Sequence, residues 1–469
     1  MRVGRRQVLG AMASVGLTTG LGARQAFAHR GRARRGAIER DVCIVGGGAA
    51  GTFAALGLRD RGKSVVVVER ADRLGGHCET FHDPASGAAI DIGVIVFPDN
   101  ALVRGLFARY GVPLAPAAFA PATNQFVDFR TGQAVAAFQP SALEVGTALA
   151  TYLQILEARF PFLDANGFQL PAPGPELDEL LLPFGEWVSL YGLEALLPTF
   201  FLFEQGFGPL LDATTLYVLK NMNRAVVGSV LANSFLFAPL GAGALYEGAE
   251  SELGSDVLYE SEVCDVERGS GICLRVRTPE GERRIRAQSL LFTAPPVLDN
   301  LSTFDLDRRE RALFARFRRH HYWTAVAAIG GMPIGVSLVN AAPDTPFNLG
   351  PLPGIYSIGP NAAPGLFDIK FGSDRFLSDR RVRRRIQQDI ERVATRSAHD
   401  LDFQGFTIFK NHSPYSVVTT PQQIRDGFYA SLQALQGYRD TFYAGAAFQT
   451  HSSAAVWAQV EELLPSIAG

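Results

Sequence analysis

The sequence is poor in cysteine and in excess charge, and each shortage excludes a class of protein. Its 469 residues include four cysteines, none in a C-x-x-C pair, and no H-E-x-x-H motif. A disulfide scaffold is therefore excluded, and no metal site is predicted. Lysine and arginine number 44 against 46 aspartates and glutamates, a net charge of −2. This balance excludes a protein held on nucleic acid by bulk charge.

The composition is that of a folded chain with a large core. Hydrophobic residues make up 47% and charged residues 19%, which excludes wholesale disorder. A chain of this length is expected to form more than one domain.

The N-terminus has the layout of an export signal. Arg5 and Arg6 are followed by an uncharged, mildly apolar stretch over residues 7–23, and residues 26–28 form an A-x-A cleavage site. We predict a twin-arginine-type signal peptide over residues 1–28, a linker over residues 29–40, and a periplasmic or extracellular mature protein. The export machinery would then be a partner. A membrane anchor and a disordered basic leader remain alternatives.

One glycine-rich loop stands in the context that dinucleotide binding requires. Residues 41–45 predict a buried strand that runs into the G-x-G-x-x-G of residues 46–51. Residues 52–61 then predict a helix, and residues 64–68 predict a second strand that ends at Glu69. Glu69 can accept hydrogen bonds from a ribose, so the pattern is a complete βαβ unit.

Each small residue of the loop has a physical reason to be there. Gly46 allows a tight turn, Gly48 lets the backbone approach a pyrophosphate, and Gly51 lets helix and strand pack closely. The helix N-terminus, with Ala49 and Ala50, offers N–H groups to phosphates.

The residues after the second strand resemble a second fingerprint. Residues 69–80 read E-x-x-x-R-x-G-G-x-x-x-T, as in the FAD-dependent amine-oxidase-like flavoproteins. The resemblance implies FAD as the cofactor. It places near FAD the residues Arg70, Arg73, Gly75, Gly76 and His77, and, in the following stretch that approaches the isoalloxazine ring, Gly93, Val94 and Ile95. The family usually has arginine where His77 stands.

Two later segments fit the same resemblance. Residues 239–263 look like the return of the chain to the FAD domain, where the backbone at Val263 would hold the adenine. Residues 441–457 look like the final strand, turn and helix, whose N-terminus would point at the flavin. The site residues implied there are Gly445, Ala446, Ser453 and Ala454. The chain is similar to a subgroup near β-cyclopiazonate dehydrogenase and polyenoic fatty acid isomerase.

These segments predict an α/β fold with a discontinuous, Rossmann-like FAD-binding domain and an inserted α+β substrate domain. The FAD-binding domain takes residues 41–110, 238–300 and 404–469, and the substrate domain takes residues 111–237 and 301–403. The apolar, aromatic segment 182–240 predicts a helical core, and some of its rings are candidates to line a lipophilic substrate cavity.

Three functions remain open. The resemblance favours an FAD-dependent oxidoreductase that passes a hydride from an apolar small molecule, such as an amine, to flavin N5. Oxygen or another acceptor would take the electrons. The alternatives are a double-bond isomerase of an unsaturated fatty acid and a non-catalytic flavin-binding protein. No second dinucleotide unit is present, so NAD(P)H is not predicted as a partner.

No catalytic residue can be assigned from the sequence. Many amine oxidases use a lysine near the flavin, and the chain has few: Lys63, Lys220, Lys370 and Lys410. We expect Lys370 and Lys410 to lie on the surface. Substrate identity, oligomeric state and covalent attachment of the flavin are likewise not predicted.

Overall fold

Two seven-stranded sheets organise the part of the chain that the structure describes. A computed structural model describes residues 36–117, 123–396 and 399–469, so the predicted signal peptide lies outside the described residues. No helix in those ranges is long and apolar enough to cross a membrane. Residues Ala37–Gly469 form one compact unit.

Strands and helices come in runs along the chain rather than in regular alternation. In the described ranges the strands are β1 Ile38–Val45, β2 Val65–Val68, β3 Thr80–His82, β4 Ala89–Asp91, β5 Ala115–Pro116, β6 Thr123–Asp128, β7 Gln133–Ala134, β8 Leu236–Phe237, β9 Val257–Leu258, β10 Glu262–Gly269, β11 Gly271–Thr278, β12 Gly281–Phe292, β13 Arg318–Arg319, β14 His321–Gly330, β15 Val336–Asn340, β16 Gly354–Pro360, β17 Leu366–Ser373, β18 Asp402–Asn411, β19 Val417–Val418 and β20 Thr441–Tyr443. The helices are α1 Ala49–Asp60, α2 Ala101–Arg109, α3 Ala142–Arg159, α4 Pro175–Leu180, α5 Phe184–Tyr191, α6 Leu197–Phe203, α7 Thr215–Asn221, α8 Arg224–Ala232, α9 Gly243–Leu253, α10 Arg308–Phe314, α11 Asp379–Arg396, α12 Pro421–Arg425, α13 Phe428–Gln433 and α14 Ser453–Ala468.

The first sheet assembles segments that are far apart in sequence. Strands β20 and β1 both pair in parallel with β12, β2 pairs with β1, and β9 pairs with β2. The antiparallel strands β10 and β11 extend the sheet through β12. All four valines of β2 are buried, as expected for a parallel strand covered on both faces.

The two faces of this sheet pack against separate hydrophobic cores. Val42 and Ile44 of β1 pack with residues of α1, α2, α9 and α14. Cys43, which points the other way, joins the core of the aromatic helices α3 to α8. The helical-core interpretation of segment 182–240 is correct for most of its rings; Phe184, Trp187 and Phe200 are fully buried.

The second sheet has the order β18–β14–β17–β16–β15–β6–β7. Its pairs are antiparallel except for β15 with β6. Helix α11 covers one face with Val382, Ile386, Ile390 and Val393, one apolar stripe at helical spacing.

Sheet membership differs from the predicted boundaries at two points. Residues 38–40, placed in the linker, extend β1 because they pair with residues 285–287 of β12. Residues 404–411, placed in the FAD-binding domain, belong to β18 of the second sheet. The mixed α/β class agrees with the prediction, and the remaining domain boundaries stay a prediction.

Candidate functional site

The glycine loop connects β1 to α1 and leaves helical donors unused. Gly46 has a φ of +105°, which favours glycine. A Cβ at Gly51 would lie 1.9 Å from the Gly46 carbonyl oxygen, so this position tolerates no side chain. No side chain caps the N-terminus of α1 at Gly48. The first N–H groups of α1, at Ala49 and Ala50, are therefore positioned for an anionic ligand, as phosphate binding requires.

Glu69 lies at the end of β2 beside this loop. Its carboxylate accepts hydrogen bonds from the N–H of Gly47, at 2.6 Å, and from the N–H of Ala71, at 2.7 Å. A carboxylate has further lone pairs for a ribose hydroxyl. The predicted acid is thus correctly placed next to the loop, while its contact with a ribose stays a prediction.

The second fingerprint packs directly on the first. Gly75 N–H donates to the Gly47 carbonyl at 2.8 Å, and a Cβ at Gly76 would lie 3.0 Å from the Gly48 Cα. A Cβ added at Gly48 would have one neighbouring atom within 4 Å, the Cα of Gly76 at 3.8 Å. The two glycines form a cradle in which the backbone can contact a cofactor closely.

The predicted arginines and the adenine-binding strand have different surroundings. Arg73 donates to the carbonyls of residues 74, 76 and 78 and pairs with Glu79 at 2.6 Å, so it clamps the turn. Arg70 is exposed. Ser261 N–H donates to the Glu69 carbonyl, which brings the start of β10, and with it Val263, toward the loop.

The C-terminal segment reaches the same place through Thr293. The Thr293 hydroxyl donates to the Gly46 carbonyl at 2.9 Å, and a Cβ at Gly445 would lie 3.2 Å from the Thr293 carbonyl oxygen. A hollow of about 20 Å³ borders Ala446. Helix α14 begins with the buried residues Ser453 and Ala454. Segments from both ends of the chain therefore converge on one site.

The predicted isoalloxazine segment packs against His77. A Cβ at Gly93 would clash with the His77 carbonyl oxygen at 1.6 Å, so these two backbones touch. His77 keeps accessible surface although the surrounding protein desolvates its ring. Ile95 is 42% exposed, which is high for a large apolar side chain, and Val94 is half-buried. The accessible apolar surface of these two side chains fits a site that a planar apolar ligand would cover.

Next to His77 lies a group of mutually contacting rings that we term the ring cage, formed by His77, Phe207, Tyr322, His412, Tyr415 and His451. Two of them, Phe207 and His451, also line the hollow beside Ala446. Ring centroids lie 4.5 Å apart for His77 and His412, 4.3 Å for Tyr415 and His451, and 4.9 Å for Tyr322 and Tyr415. Phe207 lies edge-on to Tyr415 and to His451. Only His77 of these six was a predicted site residue, because the other rings come from distant segments.

The cage joins the two sheets. The Thr324 hydroxyl of β14 donates to the Ile92 carbonyl at 2.7 Å and lies 3.2 Å from Nε2 of His412. A Cβ at Gly93 would lie 3.5 Å from the His412 ring. The second sheet thus holds His412 against the segment predicted to approach the flavin.

Desolvation by the surrounding protein keeps the imidazoles of the cage uncharged. Desolvation lowers the pKa of His77 to about 4 and that of His451 to about 3, and it lowers the pKa of His412 well below its usual value. Desolvation also raises the pKa values of Tyr322 and Tyr415. Near neutral pH the cage therefore carries no net charge from its rings.

A buried carboxyl group stands behind the cage. Glu204 is 2% exposed, and burial raises its pKa to about 8. Its Oε1 accepts from Asn221 at 2.9 Å, while its Oε2 has no hydrogen-bond partner. Glu204 was not among the residues predicted from the sequence, although an isolated acid within the apolar run between Glu194 and Asp212 is a usable signal.

The two lysines differ from each other. Lys410 pairs with Glu79 at 2.7 Å and is partly exposed, as expected for the surface. The surface prediction is wrong for Lys370, which is 9% exposed on β17 and interacts electrostatically with Asp91, Asp368 and His412.

An apolar cavity lies beyond the cage. It has a volume of about 120 Å³ and is lined by Phe126, Phe138, Phe201 and Asn340, among others. The Phe201 ring lies 5.2 Å from that of Tyr356, which in turn faces Tyr322 of the cage at 6.4 Å. In the described ranges no group of three or more potential metal-ligating side chains occurs.

Comparison with known proteins decides the family. Residues 44–110 match the model of an NAD(P)-binding Rossmann-like domain. Over 438 residues the chain is 36% identical to FAD-dependent oxidoreductase dbaF of Emericella nidulans, covering 92% of this chain and 91% of that protein. It is 32% identical to beta-cyclopiazonate dehydrogenase of Aspergillus oryzae over 471 residues, covering 100% and 99%. The chain belongs to this family of FAD-dependent oxidoreductases.

Solved structures agree on the fold of the oxidoreductase. A CLA-producing fatty acid isomerase from P. acnes matches with a TM-score of 0.74 at 20% identity, covering 91% of this chain and 98% of that one. Putrescine oxidase matches with a TM-score of 0.64 at 16% identity, covering 92% and 99%. The predicted amine-oxidase-like resemblance, the α/β fold and the FAD cofactor are confirmed. The glycine cradle, the uncapped N-terminus of α1 and Glu69 fit the ADP half of FAD, while each individual contact stays a prediction.

Proposed function

We propose that the oxidoreductase removes a hydride from a C–H bond of a largely apolar small molecule whose reacting group is held uncharged in the ring cage. Oxygen or another acceptor takes the electrons afterwards. The observation that carries the proposal is the neutrality of the cage: its three imidazoles have strongly lowered pKa values, and its tyrosines stay protonated. A charged reacting group would lose hydration there without gaining a partner.

The residues of the chain position the substrate and exclude water. Bound FAD supplies a two-electron acceptor for the hydride. The closely packed, mutually tilted rings of Tyr322, Tyr415 and His451 offer apolar surface, and their close contacts leave little room for solvent. Holding a C–H bond in one orientation removes much of the entropic part of the barrier.

Substrate size and class follow from the surroundings of the cage. The apolar cavity beside Phe201 can accept the distal part of a molecule whose reacting end lies in the cage. The name of a relative that aligns over the whole chain, beta-cyclopiazonate dehydrogenase, supports oxidation of a small molecule similar to beta-cyclopiazonate. Isomerisation of an unsaturated fatty acid is the alternative, since the isomerase shares the fold.

The test is anaerobic mixing of the purified holoenzyme with defined probes. These are beta-cyclopiazonate, cyclohexylamine, putrescine and an unsaturated fatty acid. Oxidation bleaches the flavin and yields a product that has lost two hydrogen atoms. Isomerisation returns the oxidised spectrum and leaves product mass unchanged. If none of the probes gives either result, the proposed function is wrong for these classes.

We also propose that the oxidoreductase works outside the cytoplasm. The support is the sequence of residues 1–28, with Arg5-Arg6, an uncharged stretch and an A-x-A site. The twin-arginine route exports folded proteins, which suits a chain that must bind FAD before it leaves the cytoplasm.

A further inference from the structure

Glu204 directly precedes a short turn that contacts the ring cage. Gln205 Oε1 accepts from the Tyr322 hydroxyl at 3.0 Å, and Gly206 N–H donates to the hydroxyl of Tyr356, beside the cage, at 3.2 Å. A Cβ at Gly206 would lie 2.5 Å from the Tyr415 ring, and Phe207 is itself a cage member. Residues 205–207 therefore form part of the cage wall, and Glu204 lies directly before them.

A second connection reaches the opposite side of the cage. Asn221, at the end of α7, donates to Glu204 Oε1 at 2.9 Å. The Thr450 hydroxyl donates to Asn221 Oδ1 at 3.0 Å, and Thr450 directly precedes His451. The chain Glu204–Asn221–Thr450 thus fixes one carboxyl oxygen and leaves Oε2 free.

The other buried glutamates of the described residues differ from Glu204 in having cations. Glu179 pairs with Arg159 at 2.6 Å and accepts from Trp187 at 3.0 Å. Glu310 pairs with the fully buried Arg268 at 2.6 Å. A buried polar atom without a partner costs roughly 1–3 kcal/mol. A structural role explains Glu179 and Glu310, but it does not explain a carboxyl oxygen left without a partner.

We propose that Glu204 Oε2 accepts the proton that leaves the substrate during oxidation. This inference rests on the proposed function and adds the second half of the dehydrogenation. One C–H bond would break with its electron pair, and bound FAD would supply the acceptor for that hydride. The hydrogen on the neighbouring atom leaves as a proton and forms the O–H bond of Glu204. The electron pair of the second broken bond becomes the new double bond, and an external acceptor would take up the two electrons.

Basicity favours Glu204 over the other groups at the site. His77 and His451, with pKa values of about 4 and 3, hold a proton weakly. Glu204, with a pKa of about 8, holds one roughly 10⁴-fold more tightly, since each pKa unit is a factor of ten. The titratable groups that act electrostatically with it are Tyr152, Tyr356 and Tyr415, whose pKa values are raised, so they are uncharged near neutral pH.

The first test needs no substrate. Infrared difference spectra of the oxidised holoenzyme are recorded between pH 6 and pH 10 for wild type and for Glu204→Gln. We expect a protonated carboxyl band that disappears with a midpoint near 8 in wild type and is absent from the variant. Glu179→Gln is the matched control, because it removes a buried glutamate that has its own cation and should leave this band in place. A band that is unchanged in Glu204→Gln, or that is absent in wild type at pH 6, would overturn the proposal.

The second test uses a probe that bleaches wild-type flavin under the conditions above. Wild-type reduction should accelerate with pH through about 8, because only ionised Glu204 accepts a proton. Glu204→Gln should retain bound FAD, lose this pH dependence and react on the order of 10²–10⁴-fold more slowly. Asn221→Leu should move the midpoint to higher pH, since its hydrogen bond favours the ionised carboxyl.

The outcomes separate the two proposals. If no probe reduces the wild-type flavin, the proposed function fails, and the inference fails with it. If wild type is reduced and Glu204→Gln matches its rate and pH profile, the inference alone is wrong.

Discussion

At the scale of single residues, the site is defined by titratable groups held in their uncharged forms. Desolvation dominates for His77, His412, His451 and Glu204 alike. Each of these groups lowers the free energy of unfolding in one pH range, because the folded and unfolded states bind different numbers of protons there. The imidazoles lower the stability of the folded protein as the pH falls, whereas the Glu204 carboxyl lowers it as the pH rises. Each direction gives one prediction.

Glu204→Gln is expected to stabilise the protein increasingly as pH rises. Burial raises the pKa of Glu204 from its usual 4.5 to about 8, so folding retains a proton that the unfolded chain loses. Wild-type stability therefore falls between these pH values relative to the variant, by on the order of 2–4 kcal/mol. Thermal melting from pH 4 to pH 9 checks this. Parallel melting profiles would show that Glu204 ionises normally.

His451→Phe is expected to reduce sensitivity to acid. Burial lowers the pKa of His451 from 6.5 to about 3, so stability is present above 6.5 and is lost as pH falls toward 3. Phenylalanine can keep the ring contacts with Phe207 and Tyr415 but cannot take up a proton. Denaturant unfolding at pH 7 and pH 4.5 should show a smaller loss for the variant. An equal loss in both proteins would contradict the lowered pKa.

At the scale of elements, two glycines of the βαβ loop have different roles. Gly48 leaves space for the cofactor, whereas Gly51 allows α1 to pack closely on β1. In Gly48→Val the new side chain projects into the cradle, where a Cβ meets only Gly76 at 3.8 Å. We expect a folded protein with little bound FAD, measured by far-ultraviolet circular dichroism and by the flavin absorbance per chain.

The matched control is Gly51→Ala. Its Cβ would lie 1.9 Å from the Gly46 carbonyl oxygen, so the strand-to-helix packing itself must move. This variant should melt at a lower temperature than Gly48→Val. Normal FAD content in Gly48→Val would refute the interpretation of the loop.

The sequence was informative where the chemistry is local. The glycine loop, Glu69 and the Gly75-Gly76 turn are contiguous patterns, and their elements formed as predicted. The ring cage was not predictable in the same way, because β14, residues 411–415, residues 204–207 and residues 450–451 meet only in the folded chain. The place of residues 404–411 in the second sheet was also not predictable, because β18 joins that sheet by pairing with β14, which is distant in sequence.

At the scale of the whole molecule, the site lies where the two sheets approach each other. The Thr324 hydroxyl of the second sheet bonds the Ile92 carbonyl, next to the predicted flavin segment. Neither sheet alone supplies both the cofactor cradle and the ring cage. A change that separates the two sheets is therefore expected to abolish FAD binding and substrate oxidation together.

Export is a prediction about the whole chain. Arg5→Lys with Arg6→Lys should leave the protein inside the cytoplasm of its host while leaving FAD content unchanged, since these residues lie about forty positions before the glycine loop in the sequence. Cell fractionation followed by flavin fluorescence measures both quantities. Arg2→Lys is the control and should be exported. Normal export of the double variant would contradict the predicted signal.

We propose that the oxidoreductase takes two electrons from a small molecule whose reacting group is held uncharged in the ring cage. This proposal is tested most directly by recording the visible spectrum of the anaerobic holoenzyme during addition of beta-cyclopiazonate and the other probes. The account predicts loss of the oxidised flavin bands with one probe and a product lacking two hydrogen atoms. Flavin bands that stay unchanged with every probe, or a product of unchanged mass, would contradict it.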